Sequence, residues 1–221
     1  MQADRDLKFT LVNSSKEEKE TTIDPRKPIL LDTPPGTDLW RKPPVESYNM
    51  PYLATSFETS HFKSARVTVT GPWTRLYDQA GLIVLWPSRD GSQSGPPSAW
   101  IKTGIEFYEG KPNLSTVATP ASSSSDWSLV PIDSGAVTIE IEREIDSKGP
   151  SPSLWVYLVT QTGRKAVREI TWAFSQEMLA QKVAIGLYVA RPTKDPENPQ
   201  NDHERLTAEF TEFKIHLTID V

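Results

Sequence analysis

The chain has 221 residues, a formal net charge of −5 and 37% hydrophobic content, which is enough apolar material for one sizeable β domain and too little clustered basic charge for a nucleic-acid or anionic-membrane footprint. It contains no cysteine, so disulfides, thiolate chemistry and sulfur-based zinc sites are excluded, and its 19 prolines and 11 glycines break the apolar runs too often for a helical bundle. The opening Met1-Gln2-Ala3-Asp4-Arg5-Asp6 is charged where a signal peptide needs an apolar run, and no segment approaches the ~18 apolar residues of a membrane span. The expectation is one soluble, cytoplasmic domain over residues 1–221, with no cofactor.

Leu7, Phe9 and Leu11 alternate with polar neighbours and predict a half-buried first strand. Residues 14–61 read as a long, mostly irregular region rich in proline, with short strands near Ile29 to Asp32 and around Tyr52 to Phe57, and with Leu39-Trp40 as a pin to the body. From Ala65 the alternation is clear: Ala65, Val67 and Val69 share one face and Arg66, Thr68 and Thr70 the other. Asp78 to Trp86 is more uniformly apolar, which predicts a central strand covered on both sides. The loop from Asp90 to Pro97 leads into a strand at Trp100 to Tyr108, turned by Glu109-Gly110.

Further strands follow at Leu114 to Thr119, Val137 to Ile141, Leu154 to Thr160 and Val183 to Val189, and Leu206 to Val221 closes the fold. Ala166 to Leu179 fits a helix or a bent strand. Ten or more short strands separated by turn residues, with no internal repeat, predict an all-β sandwich of two sheets.

At Asp78-Gln79-Ala80-Gly81-Leu82, Trp100-Ile101-Lys102-Thr103-Gly104-Ile105-Glu106, Leu114-Ser115-Thr116-Val117-Ala118-Thr119 and Ser125-Asp126-Trp127-Ser128, the chain resembles the regulation-of-enolase family of fungal and bacterial proteins. The resemblance runs from about Asp38-Leu39-Trp40 to Phe213. It implies a concanavalin A-like jelly roll of two curved antiparallel sheets, and a cytoplasmic, non-enzymatic role connected with carbohydrate metabolism.

Alternation along residues 99–108 puts Trp100, Lys102, Glu106 and Tyr108 on one face and Ile101, Ile105 and Phe107 on the other, toward the core. Indoles beside charged hydrogen-bonding groups suit a saccharide, whose rings have an apolar face and a rim of hydroxyls. The ordinary alternative is a solvated sheet face with no ligand. Gln79 and Trp127 join this candidate groove, while Asp78 and Asp126 read as turn or strand-edge residues that tie down backbone.

Three functional readings follow. The first is a jelly-roll binding or regulatory protein whose concave face holds a sugar-like or other small polar ligand through Gln79, Trp100, Lys102, Glu106, Tyr108 and Trp127. The second is a carbohydrate-active enzyme: a hydrolase using Glu106 with Glu140 or Glu142, or a lyase pairing Tyr108 with Lys102 against a uronate. Retaining hydrolysis needs carboxyls about 5–5.5 Å apart, yet the acidic run Glu140-Ile141-Glu142-Arg143-Glu144 reads more simply as a charged, solvent-facing edge. The third is a protein-interaction module with an exposed aromatic patch. His61, His203 and His216 lack ligand spacing, and the oxygen-rich loop from Asp195 to Asp202 lacks the order of a calcium loop, so no metal is assigned.

Overall fold

A computed structural model describes residues 7–14, 20–24, 26–88, 95–147, 149–200 and 202–218. In chain order the strands are β1 (Lys8–Val12), β2 (Glu20–Thr22), β3 (Ile29–Thr33), β4 (Leu39–Lys42), β5 (Val45–Tyr48), β6 (Tyr52–Glu58), β7 (Phe62–Thr70) and β8 (Gln79–Trp86). They continue as β9 (Ala99–Tyr108), β10 (Lys111–Thr119), β11 (Asp126–Pro131), β12 (Ala136–Asp146), β13 (Gly149–Thr160), β14 (Gly163–Ile170), β15 (Lys182–Ala190) and β16 (Leu206–Leu217), with one helical turn, α1 (Gln176–Leu179).

One sheet has eight strands in the order β11-β10-β9-β8-β15-β6-β1-β2, the other six in the order β14-β13-β12-β7-β16-β3, and both are antiparallel throughout. This is the two-sheet sandwich that the strand pattern predicts and the jelly roll that the family resemblance implies. The sheets enclose a core in which Leu82, Val84, Trp86, Ile101 and Ile105 of the larger sheet meet Val67, Ile139, Ile141, Val156 and Phe210 of the smaller. Burial of this apolar area is the main force holding the layers together. Every residue of β8 is buried, as its continuous apolar run predicts.

The region 14–61 is more ordered than expected. β3 and β6 lie where short strands are predicted, but β4 and β5 form an unpredicted hairpin. That hairpin lies on the outer face of the eight-stranded sheet. Leu39 joins Met50, Tyr52, Ala54, Ile83, Leu85, Trp100, Tyr188 and Ala190 in a second apolar cluster there, so Leu39 is the pin that the sequence suggests. The stretch Ala166 to Leu179 is neither one helix nor one strand: β14 ends at Ile170, a turn follows, and α1 makes a single turn. Residues 90–94 of the expected loop, and Ile219 to Val221, lie outside the described residues.

Candidate functional site

The site grows out of strand register. Gln79, Glu106 and Asn113 are directly paired across β8, β9 and β10, so their side chains form one row on the outer face. The next row is Tyr188, Gly81, Gly104 and Ser115, and the one after it holds Ile83, Lys102, Val117 and Trp127. The glycines are required by close strand approach, since a Cβ on Gly81 would stand 2.1 Å from the Thr103 carbonyl oxygen and one on Gly104 would stand 1.9 Å from that of Ala80. The middle row is therefore bare backbone between Tyr188 and Ser115.

Glu106 is only 5% exposed. Its Oε2 accepts hydrogen bonds from the Ser115 hydroxyl at 2.6 Å and from Trp127 Nε1 at 3.0 Å. Among the described residues no hydrogen bond reaches Oε1. Burial pushes the Glu106 carboxyl above its ordinary pKa, against the opposing pull of Lys102, Ser115 and Trp127, and Asp38 pushes the same way as burial. Lys102, 2% exposed, donates to Asp38 Oδ1 at 2.7 Å. Asp38 leads into the covering hairpin and also accepts from the Leu39 amide at 2.8 Å. Tyr188 is fully buried, and its phenol is pushed well up by burial and then by the charges of Glu106 and Asp38. Gln79 donates through Nε2 to the Tyr77 carbonyl at 3.2 Å, while its buried Oε1 has no partner.

Half-buried aromatic rings stand at the mouth of this nest. Tyr108 stacks on Tyr77 with centroids 5.9 Å apart, and Trp127 meets Tyr108 edge-on at 5.3 Å and Tyr77 at 6.1 Å. Tyr77 has a φ of 67°, a left-handed conformation that costs a side-chain-bearing residue roughly 1–2 kcal/mol. Its turn is held by Asp78, whose carboxylate accepts from the Thr74 and Arg75 amides at 3.1 and 2.9 Å. Arg191 grips the same carboxylate with two bonds of 2.9 Å, and both partners are buried. Strain at Tyr77 is thus maintained by a rigid, fully bonded clasp beneath it.

The predicted residues divide clearly. Gln79, Lys102, Glu106, Tyr108 and Trp127 come together on one face. Trp100 shares the face but is fully buried under the hairpin, with the Arg41 guanidinium 4.4 Å above its ring, so it offers no stacking surface to a ligand. Asp126 is a surface partner of Arg168 at 2.5 Å, in keeping with its reading as a strand-edge residue. Asp38, Tyr77, Ser115 and Tyr188 are site residues that sequence reasoning missed. Asp38 and Ser115 were visible only as members of the stretches that carry the family resemblance, and Tyr77 and Tyr188 were not singled out by their local pattern.

The pairing of Glu106 with Glu140 or Glu142 does not occur. β12 belongs to the six-stranded sheet, and Glu140 and Glu142 lie on its outer face, on the far side of the core from Glu106, where both bind Arg164. The lyase pairing of Tyr108 with Lys102 also lacks a free cation, because the Lys102 ammonium is taken by Asp38. In the acidic loop, Asp202 is held by Arg75 and by the amides of Asp195 and Glu204, and among the described residues no cluster of three or more His, Asp or Glu side chains is arranged to hold a metal.

Two recesses occur on the side of the six-stranded sheet. One of about 690 Å³ is lined by Arg66, Thr68, Thr138, Thr160 and Gln161 among others, and one of about 300 Å³ by Glu142, Arg143, Glu144, Ile145, Trp155 and Tyr157. Their polar walls are largely paired internally: Thr68 bonds Thr138, Arg164 bonds Glu140 and Glu142, and Trp155 and Ser151 bond Glu144. Among the described residues, the eight-stranded face differs in having two buried polar atoms left without a partner, Gln79 Oε1 and, beneath the hairpin, Trp100 Nε1.

Residues 15–217 match the family described as a protein of unknown function, DUF1349. The chain belongs to this family. It is 42% identical over 166 residues to an uncharacterised protein of Emericella nidulans, covering 74% of this chain and 76% of that one. It is also 36% identical over 103 residues to the regulation of enolase protein 1 of Saccharomyces cerevisiae, covering 45% of each. Among solved structures it is similar to a functionally unknown protein from Saccharomyces cerevisiae, with a TM-score of 0.68 at 22% identity over 96% of this chain and 97% of that one. An alginate lyase from Pseudomonas aeruginosa follows the same fold with a TM-score of 0.55 at 14% identity, covering 96% of this chain and 98% of the lyase.

Proposed function

We propose that this DUF1349 protein is a non-catalytic, regulatory jelly roll that holds a saccharide or similar small polyhydroxy ligand on the outer face of its eight-stranded sheet. The observation that carries the reading is Glu106: a buried carboxylate with one oxygen doubly bonded and the other unbonded, beside the half-exposed rings of Tyr77, Tyr108 and Trp127. The rings would take the apolar face of a sugar and the free oxygens its hydroxyls. The fold shared with an alginate lyase lends support at the level of architecture, and the yeast relative's name supports a regulatory role. No second carboxylate from the Glu140–Glu144 run faces Glu106, which favours recognition over hydrolysis.

The test is thermal unfolding against a panel of mono- and oligosaccharides, with a parallel assay for reducing ends and unsaturated products. A ligand at 100 times its Kd stabilises the fold by about 2.7 kcal/mol. The reading expects such a shift, its loss in Tyr108→Ala, and no product. Product formation would contradict the non-catalytic part, and the absence of any shift would contradict ligand binding.

A further inference from the structure

We infer that the ligand of this face is an uncharged sugar end, recognised through hydroxyl groups that donate to Gln79 Oε1 and to the unbonded Glu106 Oε1, and that uronates and sugar phosphates are excluded. The inference rests on the saccharide reading above and narrows it by charge and by hydrogen-bond type.

The unpaired atoms decide the donor pattern. Gln79 is 2% exposed, its amide nitrogen is committed to the Tyr77 carbonyl, and its oxygen has no partner. The side chain is the register partner of Glu106, so both oxygens belong to one row on one face. Both are acceptors, and leaving the Gln79 oxygen buried and unmatched is costly. A ligand that satisfies both must bring two donors, as a sugar with two hydroxyl groups does. A carboxylate or phosphate group brings only acceptors to those atoms, so an anionic sugar meets them through its hydroxyls alone and is disfavoured by its charge.

The charges point the same way. Three charged side chains meet in the nest, Asp38, Lys102 and Glu106, and the cation among them is bonded to Asp38. The guanidinium of Arg191, below the Tyr77 turn, is likewise committed to Asp78. An incoming anion would lose its hydration without meeting a free positive group. A neutral diol loses little and gains hydrogen bonds to charged or polar acceptors.

The experiment is isothermal titration of the intact protein with matched pairs: glucose against glucuronate and glucose 6-phosphate, galactose against galacturonate, and mannose against mannuronate, each with its neutral disaccharide. At least one neutral sugar is expected to bind at least tenfold tighter than its anionic counterpart. Gln79→Met, which keeps the volume and removes the free acceptor, should weaken the neutral sugar about tenfold. Glu106→Gln, which removes the charge, should narrow the gap between neutral and anionic partners. Tighter binding of an anionic member, or an unchanged gap in Glu106→Gln, overturns the inference while leaving saccharide binding standing. No binding by any sugar of either kind overturns the saccharide reading and the inference with it. Circular dichroism of both variants separates loss of recognition from loss of fold.

Discussion

Each outer face of the sandwich carries a tryptophan whose indole nitrogen donates to a glutamate that a serine also holds. On the eight-stranded sheet Trp127 and Ser115 meet Glu106 at 3.0 and 2.6 Å, and on the six-stranded sheet Trp155 and Ser151 meet Glu144 at 3.1 and 2.6 Å. The difference lies in how the oxygens are used. Trp155 and Ser151 take one Glu144 oxygen each, whereas Trp127 and Ser115 share Oε2 of Glu106 and leave Oε1 unbonded. The neighbourhood differs as well. Arg164, half-exposed, reaches across to Glu140 and Glu142 and lies 4.4 Å over Tyr157, whereas the cation beside Glu106, Lys102, is buried against Asp38. Similar residue types thus make a self-satisfied surface in one place and leave a glutamate oxygen unbonded in the other. Composition alone does not separate them, and hydrogen-bond accounting does.

The largest test of that contrast is stability. Arg191→Met leaves Asp78 buried without its cation and should cost about 3–5 kcal/mol in urea unfolding. The matching Arg164→Met on the other face, where the arginine side chain is 42% exposed, should cost less than about 1 kcal/mol. Comparable losses would remove the distinction between a built support and a solvated one. Next comes Lys102→Met, which strands Asp38 and Glu106 together without a cation. Because Asp38 is partly exposed, the expected loss is about 2–3 kcal/mol, below the full cost of orphaning a buried charge.

Smaller effects sharpen the comparison. Trp127→Phe removes a donor to the carboxylate, which should destabilise by about 1 kcal/mol and raise the Glu106 pKa further, as followed by side-chain carboxyl NMR. A downward shift of Glu106 in this variant would contradict the assigned hydrogen bond.

The pH profile provides the smallest signal. Glu106 binds its proton more tightly in the folded chain than in the unfolded one, so its contribution to stability is fully present below the ordinary carboxylate pKa and is lost as pH rises through the folded value. Relative to Glu106→Gln, the wild-type protein should therefore lose stability as pH rises from that ordinary value toward the folded one. Asp202 and Glu204, held below their ordinary values by Arg75, act with the opposite sign on the acid side and are common to both proteins. A difference that grows in the wild type's favour with rising pH would contradict the burial of Glu106.

Much of this architecture was legible because alternation is a local signal. The two-residue period alone sorted Ile101 and Ile105 into the core and Trp100, Lys102 and Glu106 onto the outer face. Coverage was not legible. Trp100 is buried by a hairpin from a proline-rich region without periodicity, whose Pro43-Pro44 peptide is cis, and by Arg41 reaching in from that same hairpin. The clasp of Asp78 with Arg191 joins residues far apart in sequence, so only its local half, the bonds to the Thr74 and Arg75 amides, could be anticipated. Tyr77 adopts a left-handed conformation without the glycine or asparagine that would announce it. Nor does anything near Tyr188 in sequence show that a row of two glycines places it beside Ser115's neighbours.

The most direct test of ligand binding at Glu106 uses the two matched indoles. The tryptophan Nε1 resonances of the labelled protein, assigned with Trp127→Phe and Trp155→Phe, would be followed during titration with glucose, galactose, mannose and their disaccharides. A binding sugar is expected to move the Trp127 resonance and leave that of Trp155 in place. A sugar that moves Trp155 and leaves Trp127 unchanged would contradict binding at Glu106.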